Sequence, residues 1–238
     1  MVVVNRTGTG RGTSGSAGTA NRQRRAAVVA GAAYLTVLVA VMTGVTQAFD
    51  RAAADWFRPN DEWGPVQMRL GPIVDALEPR RAYAVLAVVT IAVCFRRWSW
   101  QPAAFAVVVA GASIGVTIPS KVLTHRPDLS GVVSSTGGSF PSGHVIALSV
   151  CLGCCALMLW RRTRWWHWVL VAIPPAFMSA SILYGGAHWV TDVIGGALLA
   201  VATLCWAASL RVRTSMMEPR RPRNRAGSSE TRRVSGRA

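Results

Sequence analysis

Six apolar runs separated by short polar segments dominate this chain. They lie at about Ala26–Ala48, Ala82–Phe95, Ala103–Pro119, Gly143–Trp160, Trp168–Tyr184 and Trp189–Leu210. A hydrocarbon core about 30 Å thick needs roughly 20 helical residues, so the pattern predicts an all-α protein, a bundle of six membrane-crossing helices. The second run is short; snorkelling Arg96 and Arg97 and a Trp100 anchor extend it. Ala26–Ala48 could be mistaken for a signal peptide, but it exceeds the usual apolar centre of about 7–15 residues and is read as a helix that stays. Between the first two runs, Asp50–Arg81 is polar and holds six of the ten acids. Inside it, Val66, Met68, Leu70, Ile73, Val74 and Leu77 recur at helical spacing, which predicts a helix lying along the interface.

The chain is 51% apolar and only 15% charged, figures that suit a membrane protein. Residues 1–25 and 211–238 are polar and basic with little to bury, which predicts disordered tails around a membrane domain over 26–210. A net charge of +16 raises the question of nucleic acid. The distribution argues against it: no basic face is interleaved with aromatic residues. Instead, nineteen of the 26 Lys and Arg residues fall in the tails, at Arg96–Arg97 and in Arg161–Arg164. Excess basic charge in loops and tails marks the cytoplasmic side. Six spans then put both termini in the cytoplasm, near the anionic inner leaflet of the plasma (inner) membrane, and turn the acid-rich segment outward. Arg80 and Arg81 run against this orientation and are outweighed. Cys94, Cys151, Cys154, Cys155 and Cys205 all lie in apolar runs and read as packing residues rather than disulfide or metal ligands.

Three polar stretches fall at the outward ends of these runs. Ionisable side chains are costly there and point to chemistry. Thr117–Pro127 places Lys121 near Arg126. Phe140–His144 reads Phe-Pro-Ser-Gly-His, a helix start in which Ser142 can cap and Gly143 lets an anion approach the free backbone N–H groups. His188 and Asp192 are four residues apart. A carboxylate that accepts one ring N–H leaves the other ring nitrogen as a nucleophile or base. Together these supply phosphate clamps (Lys121, Arg126), a backbone anion site (Ser142, Gly143), a second histidine (His144) and an activated one (His188 with Asp192). Nothing suggests a cluster of carboxylates for a two-metal phosphatase, so neither metal nor other cofactor is expected.

In these residues the chain resembles the type 2 phosphatidic acid phosphatase (PAP2) superfamily of membrane lipid phosphatases. The family pattern is Lys followed by Arg-Pro, then Pro-Ser-Gly-His, then Ser-Arg, five residues, His, three residues and Asp. Pro141–His144 matches the second part in full, and Ser181, His188 and Asp192 match the third at the expected spacing. The resemblance covers roughly residues 50–205. It implies a six-helix bundle and a metal-independent phosphoryl transfer in which His188 forms a phosphohistidine, Asp192 orients its ring and His144 protonates the leaving oxygen. Lys121, Arg126, Ser142, Gly143 and Ser181 would hold the phosphate.

Two departures stand out. The family places six residues between Lys and Arg; here four precede Arg126, and the usual register falls on Asp128. The arginine of the third part is Ile182. The expected function is hydrolysis of a lipid phosphate or diphosphate at the outer leaflet, with phosphatidate, phosphatidylglycerol phosphate and polyprenyl (di)phosphate as candidates. The alternatives are a weak or silent lipid-phosphate-binding scaffold, or a phosphotransferase using the same histidine.

Overall fold

Helices form wherever the apolar runs predict them, and two shorter ones join them. The computed structural model describes residues 13–59, 64–133, 137–160 and 163–210. In order these form α1 (Thr13–Met42), α2 (Gln47–Phe57), α3 (Pro65–Ala76), α4 (Pro79–Arg97), α5 (Gln101–Thr124), α6 (Gly143–Leu159), α7 (Trp165–Tyr184) and α8 (Val190–Ser209). No strand occurs among the described residues. The six runs correspond to α1 and α4–α8. Four helices are long and apolar enough to cross a membrane, Gly18–Met42 within α1 and the whole of α5, α7 and α8. The apolar α6 is shorter, and α4 has arginines at both ends. Of the tails expected over 1–25 and 211–238, residues 1–12 and 211–238 lie outside the described residues, and 13–25 are helical.

Boundaries move for local reasons. The first helix starts at Thr13 rather than Ala26, continuing through the helix formers Ala, Gln and Arg of Ala20–Arg25. It stops at Met42, earlier than the apolar run, because Thr43–Thr46 form a turn with Gly44 at φ +75°. The chain restarts as α2, an amphipathic helix whose buried side carries Asp50. The interfacial helix expected over Val66–Leu77 is α3. Through Pro119, α5 continues to Thr124, so Lys121 sits in its last turn.

At the centre stands α6, buried along most of its length and packed against α4, α5, α7 and α8. At Gly153 a methyl group would come within 2.6 Å of Leu204, so the missing side chain lets α8 pack against α6. All five cysteines are free thiols, three of them buried on α6, as their apolar setting predicts. Outward faces carry exposed Val28, Leu35 and Val39 on α1, Val107 on α5 and Leu170 and Ile173 on α7. Exposed apolar surface on this scale is rare in water and fits contact with lipid. At one end of the bundle, the close of α5 and of α7 meets the start of α6 and of α8.

Candidate active site

Close backbone approach builds the site. After α5 the chain turns at His125 (φ +43°) and returns through Gly138 (φ +156°). At Gly138 a Cβ would lie 2.9 Å from the Arg126 nitrogen and 3.0 Å from the Lys121 oxygen. Only glycine lets this segment lie against the end of α5, where Lys121 Nζ donates to the Gly138 carbonyl at 2.6 Å and to that of Ser139 at 3.4 Å. Phe140 is fully buried, stacks on Tyr34 at 6.0 Å and covers Gly195 of α8, whose Cβ would be 2.5 Å from the ring. The Ser142 N–H donates to the Asp192 carbonyl at 3.0 Å. These contacts fix the start of α6 against the start of α8.

His188 precedes α8, and Trp189 is its N-cap residue. The His188–Asp192 pair therefore forms through a helix cap rather than along one helical face. Asp192 Oδ2 accepts the Trp189 N–H at 3.0 Å and meets His188 Nδ1 at 3.3 Å. An acid in the first turn also suits the helix dipole. With the ionised carboxylate as acceptor, Nδ1 carries the proton and Nε2 keeps its lone pair.

Across from it lies His144, with ring centroids 6.2 Å apart and planes at 75°. Both histidines, Lys121 and Gly143 line one cavity of about 290 Å³, with Asp128 and Ser139 at its polar side and Tyr83, Ile114, Ile118 and Ile146 on an apolar wall. Among the described residues lining it, Lys121 is the only lysine or arginine. Glu78, the residue before α4, accepts two hydrogen bonds from Arg80, which hold its carboxyl below the usual carboxylate range.

Other expected site residues lie behind this cavity. Ser142 occupies the N-cap position of α6, but its buried hydroxyl makes no capping bond and has no hydrogen-bond partner. Ser181 is buried and donates to the Phe177 carbonyl at 2.9 Å. Ile182, in the family's arginine position, is packed in the apolar core. Arg126 is almost enclosed, at 12% side-chain exposure, between two carboxylates. Its Nη1 donates to Asp192 Oδ1 at 2.8 Å and to Thr191 Oγ1 at 2.7 Å, and its Nη2 to Asp50 Oδ2 at 2.6 Å.

Asp50, Thr191 and Trp189 were not candidates from sequence. Thr191 and Trp189 sit inside the His–Asp spacing, whereas Asp50 lies far upstream and no spacing links it to them. Among the described residues no group of three or more His, Cys, Asp or Glu could hold a metal ion.

An all-helical membrane bundle, with two histidines and a lysine around a cavity at one end, is the class this fold and site define. The family model of the PAP2 superfamily matches residues 81–215, more than half of the chain, and the protein belongs to that superfamily. It is an integral membrane protein. An undecaprenyl-diphosphatase of Sulfolobus acidocaldarius is 38% identical over 84 residues, covering 35% of this chain. The match spans 37% of that relative's length, about a third. In fold, the chain is similar to a transmembrane PAP2-type phosphatidylglycerolphosphate phosphatase from Bacillus subtilis. The TM-score is 0.68 at 18% sequence identity, over 82% of this chain and 99% of that one.

Proposed function

We propose that this protein is a membrane phosphatase that hydrolyses a lipid phosphate or diphosphate through a phosphohistidine on His188. The observation that carries the reading is the pair of histidines facing each other across a cavity beside Lys121, one of them hydrogen-bonded to buried Asp192. His188 Nε2 attacks phosphorus; the P–N bond forms as the bond to the lipid oxygen breaks. That oxygen takes a proton from protonated His144. Water then attacks the phosphohistidine and gives its proton back to His144, and the P–N bond breaks to release inorganic phosphate. Lys121 and the N–H groups at the start of α6 balance charge on the equatorial oxygens. Asp192 holds the His188 ring in the tautomer that leaves Nε2 free.

The apolar wall of Tyr83, Ile114, Ile118 and Ile146 suits a lipid chain beside the phosphate. Arg96, Arg97 and Arg164 lie at the opposite end of the bundle from the histidines, which supports cytoplasmic termini and a site facing the outer leaflet of the plasma (inner) membrane. The phosphatase and diphosphatase names of its relatives support phosphatidylglycerol phosphate and polyprenyl diphosphate as first substrates to try, with phosphatidate beside them.

One experiment tests this. The purified protein in detergent with EDTA is given each lipid phosphate, and inorganic phosphate release is followed for the wild type, His188→Ala and His144→Ala. The expected result is release by the wild type that falls at least about 10³-fold in His188→Ala. A second reading is favoured by Ile182 and by Arg126 being engaged elsewhere: a lipid-phosphate-binding protein without turnover. Undiminished lipid binding with no release from any substrate would decide for it. Transfer of the phosphoryl group to an added alcohol in place of water would instead mark a phosphotransferase.

A further inference from the structure

We infer that Asp50 and Arg126 form a positioning bridge that holds Asp192, and through it His188, and that the phosphate is gripped without Arg126. This rests on the phosphatase reading above. Asp50 comes from α2, outside the residues that match the family model and outside all three sequence motifs.

The geometry is continuous. Asp50 has no exposed side-chain surface, and a buried carboxylate is costly unless it is paired and hydrogen-bonded. Its Oδ1 accepts the Thr191 N–H at 3.0 Å. Its Oδ2 accepts the Thr191 hydroxyl at 2.7 Å and Arg126 Nη2 at 2.6 Å. The other arm of the guanidinium reaches Asp192 Oδ1, leaving Oδ2 for His188. Arg126 also lies over the Trp189 ring, 5.2 Å from its centroid.

Register explains why Arg126 points this way. It follows the end of α5 at Thr124 and the left-handed turn at His125, so it leaves the helix early and falls against α8. Asp128, in the usual arginine register, lines the cavity instead. Turning Arg126 toward a phosphate would strand two buried carboxylates without their cation. Breaking a buried pair in that way is strongly destabilising. The guanidinium therefore stays, and its contribution is the angle of the Asp192 carboxylate.

The test uses the full chain in detergent. Asp50→Asn keeps the shape and removes the charge. Turnover is expected to fall about tenfold with KM within about twofold, and Arg126→Gln is expected to act in the same sense. In the double variant Asp50→Asn adds almost nothing to Arg126→Gln, because it acts through it. Thr191→Val, which removes the bridging hydroxyl, gives a smaller fall that Thr191→Ser restores. A raised KM at unchanged kcat in Arg126→Gln, or losses that multiply in the double variant, would overturn the bridge in favour of a direct phosphate clamp.

Modification of His188 by diethyl pyrocarbonate, read by mass spectrometry, needs no turnover. It is expected to slow several-fold in Asp50→Asn as Nε2 loses its fixed orientation. An unchanged rate there sinks the bridge. A slowed rate in a protein that hydrolyses no lipid phosphate supports the bridge and sinks the phosphatase reading instead.

Discussion

His188 has two contrasting sides. Toward the cavity it faces His144, Lys121 and Asp128, two backbone carbonyls already occupied by that lysine, and an apolar wall. Away from the cavity stand Asp192, Arg126 and Asp50, charges whose hydrogen bonds interlock through Thr191. Most of the ionised groups are thus spent behind the ring, on its orientation, and few in front, on an anion. A buried network of this kind is rigid because each member lost leaves another unpaired. The front, with fewer fixed partners, can accept a lipid head group of varying size.

The sharpest way to break the contrast is at the joint between the sides. Asp192→Asn keeps one hydrogen bond to the ring but removes its charge and the pairing with Arg126. Phosphate release is expected to fall by about 10³-fold or more, in the range seen when an orienting carboxylate beside a catalytic histidine is neutralised. Labelled phosphoenzyme, trapped under alkaline quench, should fall with it. Normal labelling would place the loss in the second, hydrolytic step.

In front, Lys121→Met removes the only lysine or arginine among the described cavity-lining residues. A drop of about 10²-fold in kcat/KM is expected, by comparison with loss of one charge-stabilising donor, and KM should rise as well. That rise in KM distinguishes it from the variants behind the ring. If KM held while kcat fell, Lys121 would belong with the positioning residues and the contrast would fail.

Ile182→Arg restores the residue the family pattern carries. A guanidinium set in the apolar core cluster that holds Ile182 and Met178 is buried among hydrophobic side chains, and stability should fall by about 3 kcal/mol or more. Thermal unfolding in detergent measures this, and phosphate release per folded molecule should not rise. A rise would mean that the side chain threads to the cavity and that the front had lacked a second cation.

How much of this was legible in the sequence depended on distance along the chain. The six apolar helices were legible from apolar length and α3 from its spacing, whereas α2 was not; helix ends shifted at Gly44 and beyond Pro119, where turn chemistry and packing overrode the run of hydrophobic residues. His188 and Asp192 were legible as a pair because four residues separate them, although a cap rather than a helical face brings them together. Lys121, Gly143 and His144 share a cavity with His188, which motif order alone suggested. Asp50 was not legible. Among the acids of a polar segment it looks solvated, and only the return of α2 onto the start of α8 buries it 141 residues away from Thr191. The opposite aim of Arg126 was hidden for a related reason: spacing showed that it was out of register but not where the guanidinium would go.

The smallest expected effect lies at the edge of the network. Trp189 keeps its backbone N–H bond to Asp192 whatever its side chain is, so Trp189→Phe leaves the cap of α8 intact. It removes the indole N–H that donates to the Pro127 carbonyl at 2.9 Å and replaces the ring under Arg126 with a smaller one. An exposed hydrogen bond contributes about 1 kcal/mol and an exposed cation–π contact about 0.5–1 kcal/mol, part of which phenylalanine retains. Both contacts act on Arg126 rather than on the cavity, so kcat should fall about two- to fivefold while KM stays constant. In an Arg126→Gln background the same substitution should do almost nothing. A change in KM would mean that the indole reaches the substrate and that the two sides of His188 are not separate after all.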